Sequence, residues 1–436
     1  MNEKLEKGTR IKTLLNGEAV VERWLAEGGQ GDVYIVKYNG EEKALKWYKP
    51  SGMGSDKQKF YKNLKDNVMK GRPSPEFLWP LDITEWMDDV FGYIMDLRPE
   101  GYHEVSDFML TRVRFSSYRM AVDAALNIVL AYQILHDKGY SYQDLNDGNF
   151  FIHPGTGKVL ICDNDNVAPE GMETGIIGKP RYMAPEIVMR KNMPNTYSDI
   201  FSMSVILFIL FTLNHPLEGK RSLVPAMTPV VQEKLYGTKA LFLMDEDNRE
   251  NAPDPLIHKN VIMVWKRLPD YMQELFSRAF SQLALTNPFR RPVEEDWIRS
   301  LVRFRSDIVP CSCGNEVFLQ QGKTCQCEKC GKNIRIPYSL KIRNYRVPAV
   351  PGNIIYTCQV ASCNFQNALL PIAQVIAKGN DASVLGLGNV GTQCWDVEAP
   401  DGRTVTIKPK GAIPLKSGIS LRIRADKAQP VEIVEN

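Results

Sequence analysis

Three polar residues constrain this chain more than any other feature. Asp144 and Asn149 stand five residues apart in the loop-like stretch Tyr142-Gln143-Asp144-Leu145-Asn146-Asp147-Gly148-Asn149, after an expected helix, and Asp163 closes the apolar run Val159-Leu160-Ile161-Cys162. Phosphoryl transfer from ATP needs such a set. One carboxylate takes up or orients the acceptor hydroxyl, while an amide oxygen and a second carboxylate hold magnesium against the phosphates. Polar loops are full of Asp and Asn, so the spacing gains its weight from what flanks it.

Upstream, Leu25-Ala26-Glu27-Gly28-Gly29-Gln30-Gly31-Asp32-Val33-Tyr34 sets a glycine-rich turn between apolar flanks and reads as strand, hairpin loop and strand. Glycines let backbone N–H groups approach phosphate oxygens because no Cβ intervenes; a plain turn is the other reading. Thirteen residues after Val33, Lys46 sits in the short strand Ala44-Leu45-Lys46-Trp47-Tyr48, at a spacing that suits a partner for the α and β phosphates. Downstream lie Met183-Ala184-Pro185-Glu186, then Ser198-Asp199-Ile200-Phe201-Ser202 leading into the apolar run Val205 to Leu213, and later Asn287-Pro288-Phe289-Arg290-Arg291-Pro292.

This ordered set, spread over roughly residues 20 to 300, resembles the eukaryotic-like protein kinases of bacteria. The resemblance implies an α+β, bilobal protein-kinase fold with an N-lobe at 1–97 and a C-lobe at 98–306. By the same resemblance Gly28, Gly31 and Val33 cover the nucleotide, with Ala26 where the family usually has its first glycine. Lys46 looks like the phosphate-gripping lysine, Asp144 like the catalytic Asp, and Asn149 and Asp163 like the magnesium ligands. Met95 stands as gatekeeper, Asp96 and Leu97 offer backbone groups to adenine, and Ala44 and Phe151 complete the nucleotide-binding positions. Glu186 and Arg291 resemble a buried ion pair, and Asp199 the residue that holds the catalytic-loop backbone.

The chain departs from that pattern in several places. Tyr142 and Gln143 stand where the family usually has His-Arg. Without that Arg an activation-loop phosphate has no evident receptor, so phosphorylation at a residue such as Thr174 is not expected to be the main switch. Asn146 replaces a usual Lys, which predicts slow turnover or a non-standard acceptor. Asp163-Asn164-Asp165 replaces Asp-Phe-Gly and lacks the aromatic packing switch. The helix-like segment Ser55 to Lys70 contains no Glu to pair with Lys46. Asp66 qualifies by sign and Asn63 by spacing; otherwise Lys46 is held differently, or the helix is mobile and needs a partner.

The 436 residues leave room for two to four domains, and a net charge of +3 gives no electrostatic sign of nucleic-acid binding. Met1 to Arg10 is charged and polar, unlike a signal segment, and Val205 to Leu213 falls far short of the ~20 residues that span a bilayer. That run reads as a buried C-lobe helix. The expectation is therefore a cytoplasmic protein off the membrane. The segment Lys220 to Trp265, broken by Pro225, Pro229, Pro253 and Pro255, reads as a solvated loop, with a docking site as the alternative.

Nine cysteines, an odd number, point to a reducing cytosol. Cys311-Ser312-Cys313-Gly314 and Cys325-Gln326-Cys327-Glu328-Lys329-Cys330-Gly331 form two short turns, each ending in Gly. Cys311, Cys313, Cys327 and Cys330 read as a structural zinc ribbon at 307–338, with Cys325 spare and free structural cysteines as the alternative. Lys323, Lys329, Lys332 and Arg335 are too scattered to favour nucleic acid.

From Leu340 onward short β-favouring runs alternate with turns: Ile354 to Thr357, Gln393 to Val397, Thr404 to Ile407 and Ile419 to Ile423, with Asp401-Gly402 as a hairpin signal. This predicts an all-β sandwich at 339–436. Its final part resembles a forkhead-associated (FHA) phosphopeptide-binding domain, but Leu387-Gly388-Asn389-Val390-Gly391 supplies no Arg or Ser for phosphothreonine, which implies a degenerate pocket. Cys358, Cys363 and Cys394 read as apolar core residues.

The leading expectation is an ATP- and Mg2+-dependent Ser/Thr protein kinase carrying structural Zn2+. The resemblance suggests protein substrates, with a PP2C-type phosphatase and a von Willebrand A-type protein as partners. A nucleotide-binding pseudokinase and a small-molecule kinase are the alternatives. Intact Lys46, Asp144, Asn149 and Asp163 argue against the first, and Ala184-Pro185-Glu186 with Arg291 against the second.

Overall fold

A computed structural model describes residues 4–15, 17–50, 56–87, 90–172, 178–319, 326–361, 363, 367–378, 381–425 and 428–436, excepting the side chains of 381–383. Thr174, Lys323 and Cys325 lie outside the described residues. The chain divides into two compact units. One comprises Met1–Ser116, Asp123–Lys266 and Phe276–Glu294; the other comprises Ser117–Val122, Arg267–Leu275 and Glu295–Asn436.

In the first unit, β1 (Arg10–Thr13), β2 (Gly17–Glu27), β3 (Gly31–Tyr38) and β4 (Glu41–Tyr48) pair antiparallel in succession. Asn39 and Gly40, both at positive φ (51° and 84°), make the tight turn between β3 and β4, as an Asn-Gly pair favours. Helix α1 (Lys57–Lys70) starts at Asp56, whose carboxylate accepts from the Lys59 N–H at 2.9 Å. Phe60, Leu64 and Val68, four residues apart, form its buried stripe. β5 (Asp82–Ile83) and β6 (Gly92–Met95) complete a six-stranded sheet of order β1-β2-β3-β4-β6-β5.

Next come β7 (His103–Glu104), α2 (Val105–Met109), α3 (Tyr118–Asp137), β8 (Tyr140–Ser141), β9 (Phe150–Ile152), β10 (Val159–Ile161) and β11 (Ala168–Pro169). The β9–β10 hairpin positions the site. Its register sets Ile161 opposite Phe150, and the Cys162 N–H donates to the Asn149 carbonyl at 2.9 Å, so the residue after β10 returns beside the residue before β9. After α4 (Pro185–Val188), α5 (Thr196–Thr212) is the buried helix expected from the Val205 to Leu213 run. Every residue from Ser198 to Thr212 is buried, and Asn195 with Ser198 makes a capping box at its start.

The stretch expected to be a solvated loop, 220–265, is instead folded. It carries α6 (Pro229–Glu233) and the start of α7 (Lys259–Arg267), and buries Leu235, Tyr236, Leu241, Phe242 and Leu243. Asn251 organises it: its Nδ2 donates to the Leu217 and Leu241 carbonyls (2.8 and 2.7 Å) and its Oδ1 accepts from the Gly219 and Arg221 N–H groups (3.2 and 3.1 Å). A buried amide satisfied on both sides replaces the backbone ladder that prolines forbid. Helices α8 (Asp270–Ala279), α9 (Gln282–Thr286) and α10 (Glu294–Asp307) follow.

The second unit holds the pair β12 (Ile308–Pro310) and β13 (Glu316–Phe318). It then continues through β14 (Tyr338–Ile342), β15 (Tyr345–Pro348), β16 (Ile354–Tyr356), α11 (Thr357–Val360), β17 (Pro371–Lys378), β18 (Asp381–Asn389), β19 (Trp395–Glu398), β20 (Thr404–Ile407), β21 (Ala412–Pro414), β22 (Ser420–Ile423) and β23 (Val431–Glu435). Two antiparallel sheets result, ordered β15-β14-β23-β22-β19-β20 and β16-β17-β18-β21. One apolar cluster draws on both: Leu340, Trp395, Leu421 and Ile433 from the first, and Ile355, Val375, Leu387 and Ile413 from the second. Gly402, at φ 81°, turns β19 into β20 as the Asp-Gly pair predicts. Within this unit the Arg119 guanidinium donates to the Ile308 carbonyl (2.7 Å) and to Asn353 Oδ1 (2.6 Å), while Asn353 Nδ2 donates to the Ser306 carbonyl (2.9 Å). Cys358, Cys363 and Cys394, expected in the core, are only half-buried. Among the described residues no helix is long and apolar enough to cross a membrane.

Candidate active site

The strand ladder brings Lys46 opposite Val33 on one side and Tyr93 on the other, and Ala44 opposite Met95. In the hairpin turn the Gly28 N–H donates to the Gly31 carbonyl at 2.8 Å. Gly31 has a structural reason to be glycine that the sequence did not suggest: a Cβ there would lie 2.2 Å from the Trp47 carbonyl oxygen. Ala26 and Gly28 are exposed and Val33 half-buried beside that turn. Beyond Met95, Asp96 accepts from Lys43 Nζ at 2.9 Å, Leu97 is half-buried, and the Arg98 guanidinium stacks 4.1 Å over the Phe151 ring.

Lys46 is buried, and its ammonium donates to Gln30 Oε1 (2.8 Å), Asp165 Oδ2 (2.9 Å) and Asp163 Oδ1 (3.3 Å). Burial opposes its charge, but the two carboxylates outweigh burial and keep it protonated above the usual lysine range. Tyr48 donates its hydroxyl to the same Asp165 oxygen at 2.5 Å. The partner sought on the helix therefore comes from the Asp163-Asn164-Asp165 tripeptide. Asp66 is exposed, and Asn63 is occupied elsewhere: its Nδ2 and that of Asn67 both donate to the Val167 carbonyl (2.9 and 2.8 Å). Asn164 fills the place of the absent aromatic, donating from Nδ2 to the Leu78 and Ile161 carbonyls at 2.8 and 2.9 Å.

Across the β9–β10 hairpin, Asp163 adopts left-handed backbone (φ 53°, ψ 43°) and leaves its side chain 43% exposed. Asn149 is buried, and its Nδ2 donates to the Asp144 carbonyl (2.8 Å) and the Tyr142 hydroxyl (3.2 Å). With both N–H donors spent on the loop, its amide oxygen is left for a cation. Burial raises the Asp144 carboxyl to about 6; the Asn146 hydrogen bond opposes this, the Asp163 charge adds to it, and Lys179 offsets it. Tyr142 is fully buried, with its hydroxyl on the Cys162 carbonyl. Gln143 spends its side chain on the Met172 carbonyl, in the position where an arginine was absent.

Two supports expected from the sequence are present. Arg291 makes paired bonds to Glu186 (2.8 and 2.7 Å), and Asp199 accepts from the Tyr142 N–H at 2.7 Å. Sequence reading missed His136, which bridges Asp199 (3.1 Å) and Glu294 (2.5 Å). Burial works against its charge, but the two carboxylates raise it to about 9. Gln30, Asp165 and Lys179 were missed as well; their only signal was polarity close to recognised motifs.

In the second unit the Cys311, Cys313, Cys327 and Cys330 sulfurs lie within 4.8 Å of one another, with the 311–330 and 313–327 pairs at 3.6 Å. Burial opposes ionisation of Cys327, yet the Cys330 and Lys329 N–H groups bring its thiol down to about 6. Gly314 and Gly331, both at positive φ (81° and 70°), end the two turns.

Residues 20–277 match the family described as protein kinase domain. Protein kinase C delta type of Mus musculus is 26% identical over 223 residues, covering 50% of this chain and 32% of that protein. Serine/threonine-protein kinase PknA of Mycobacterium tuberculosis is 26% identical over 229 residues, covering 50% of this chain and 52% of PknA. The chain thus spans about a third to a half of the length of these curated relatives. Among solved structures, the Mycobacterium tuberculosis PknI kinase domain aligns with 19% identity and a TM-score of 0.42, covering 69% of this chain and 98% of that domain.

Proposed function

Since this chain belongs to the protein kinase domain family, we propose that it transfers the γ-phosphoryl group of ATP to serine or threonine hydroxyls of other proteins. The observation that carries this reading is the convergence of Lys46, Asp144, Asn149 and Asp163 from separate segments. Lys46 Nζ lies 3.3 Å from Asp163, and Asn149 Nδ2 lies 2.8 Å from the Asp144 carbonyl. Asp144 is ionised at neutral pH and fit to take the acceptor's proton. Lys46 is permanently charged and suits the α and β phosphates. Asn149 and Asp163 offer oxygen ligands only, the donor set of a hard cation, and would hold magnesium. When bound, that ion supplies charge neutralisation at the phosphates. The Glu186–Arg291 pair, at the end of the segment that faces a peptide in protein kinases, favours a protein over a small-molecule acceptor.

The cysteine cluster fits zinc. Four thiolates around an ion at about 2.3 Å stand roughly 3.8 Å apart, close to the 3.6 Å separations of the pairs. A ribbon this small has little apolar surface to bury, so metal binding would provide its folding free energy. One zinc per chain by metal analysis, lost together with protease resistance of 307–338 on chelation, is the expected result.

The paired sheets support a sandwich related to FHA domains, acting in targeting or control. Asn389 spends its side chain on its own loop, donating to the Gln393 carbonyl (2.9 Å) and accepting from the Gly391 N–H (3.1 Å). That fits a pocket no longer built for phosphothreonine, and phosphothreonine peptides should not bind. A PP2C-type phosphatase, a von Willebrand A-type partner and a cytosolic location complete the reading.

The test is autophosphorylation with labelled ATP and magnesium in wild type, Asp144→Asn and Asp163→Ala. Label on wild type alone supports the kinase. No label combined with tight ATP binding supports the pseudokinase instead.

A further inference from the structure

Asn146 leaves the catalytic loop without the lysine usual at that position, yet the loop is not without a cation. Lys179, from the downstream end of the segment between Asp163 and Glu186, places its Nζ 2.9 Å from Asn146 Oδ1 and 3.7 Å from Asp147 Oδ1. Asn146 is itself buried and faces both ways. Its Oδ1 also accepts from the Gly148 N–H (3.1 Å), and its Nδ2 donates to the Asp144 carbonyl (3.1 Å) and carboxylate (3.2 Å). One amide therefore separates the ammonium from the carboxylate that handles the acceptor's proton, and the Lys179 charge acts directly on Asp144.

The backbone beneath Lys179 is fitted to this approach. A Cβ on Gly178 would lie 3.2 Å from both Asp144 Oδ1 and the Gln143 carbonyl oxygen, so glycine lets the chain come against the catalytic loop. An ammonium has three donors, and among the described residues only Asn146 takes one at full hydrogen-bond distance, so N–H groups remain for a phosphate oxygen. Lys179 is itself exposed along its side chain, and an exposed lysine on a surface carboxylate would do little; here the ammonium is held by a buried amide inside the loop.

Resting on the kinase reading above, we propose that Lys179 is the catalytic cation of this site. It takes over from the downstream segment the charge that the catalytic loop lacks, and Asn146 is the positioning residue that holds it. In the transfer, the acceptor oxygen bonds to the γ-phosphorus as the bond from that phosphorus to the β,γ-bridging oxygen breaks. ADP leaves with that electron pair, and the hydroxyl proton passes to Asp144. Lys179 stabilises the negative charge spread over the γ-phosphoryl oxygens during the exchange. The substitution of Asn for Lys then costs no charge, and competence depends on Gly178 and Lys179 lying against the loop.

The experiment compares full-length wild type, Lys179→Ala, Lys179→Arg and the double variant Asn146→Lys/Lys179→Ala. It measures kcat, KM for ATP, and equilibrium affinities for ATP and ADP with magnesium. Lys179→Ala should lower kcat by about 10²-fold, the scale of one lost electrostatic donor, with KM changing much less. Lys179→Arg should retain more activity, and the double variant should recover at least about tenfold by restoring a loop cation. Lys179→Ala should also weaken ATP and spare ADP. A kcat within twofold of wild type, or no recovery in the double variant, overturns the proposal and leaves the kinase reading intact. If wild type transfers nothing, the kinase reading fails, and equal loss of ATP and ADP affinity in Lys179→Ala sinks the proposal separately.

Discussion

Two buried ion pairs brace the first unit, and they are built differently. At the lower one, Arg291 meets Glu186 through two parallel bonds and adds bonds to the Tyr197 (2.8 Å) and Ala284 (3.2 Å) carbonyls, so all three guanidinium nitrogens meet fixed partners. At the upper one, the Lys46 ammonium is shared among Gln30, Asp163 and Asp165, and one of these, Asp163, is the exposed metal-ligand candidate. A planar fork held through each of its three nitrogens is a permanent joint. A point charge divided among three acceptors can trade one of them for a phosphate and keep Asp165. The same physical requirement, pairing a buried charge, yields a rivet in one place and a pivot in the other.

The sharpest break of this comparison is Arg291→Ala, which strands Glu186 in the interior. Urea unfolding should show a loss of about 3–5 kcal/mol, the usual cost of an orphaned buried charge; a loss near zero would mean the pair is incidental. Asp165→Ala should cost less, about 2 kcal/mol, because Asp163 still faces Lys46, and it should lower kcat more than it lowers stability. Asp165→Asn keeps an acceptor for Tyr48 and should fall between. Asn63→Ala and Asn67→Ala should each cost under about 1 kcal/mol, since the Val167 carbonyl keeps one donor. The double variant should exceed their sum because that carbonyl then loses both.

The smallest effect is with pH. The Asp144 carboxyl titrates near 6 and must be ionised to accept a proton, so kcat should fall only about twofold from pH 8 to 6, then about tenfold per unit below. Lys179→Ala removes a charge that holds this carboxyl down, so it should move the acid limb upward. Asp163→Asn should lower the apparent value, measured on the residual rate. A pH profile that both variants leave in place would assign the limb to another group.

The lower joint was legible from the chain because Ala-Pro-Glu and the later Arg carry fixed spacing and identity. So were the buried helix α5 and the Asp-Gly hairpin, where a nine-residue apolar run or a turn pair settles local structure. The upper joint was not. Asp165 lies 119 positions from Lys46, and its sequence context gave it no role beyond replacing a glycine. Lys179 was invisible for the same reason: a lysine outside every recognised motif looks like solvated charge until the fold turns it toward Asn146. The segment 220–265 misled in the opposite sense, because its prolines suggested a loop while one buried amide, Asn251, does the work of a ladder.

The Asp163-Asn164-Asp165 tripeptide is fastened at every side chain: Asp163 and Asp165 to Lys46, Asp165 also to Tyr48, and Asn164 to two backbone carbonyls. There is no aromatic plug here to swing aside and open an apolar chamber behind the nucleotide. A small molecule aimed at this protein therefore has to win its affinity in the adenine and ribose space itself. Compounds selected for reaching past that tripeptide should pass this protein by, which makes it a natural counter-screen for them.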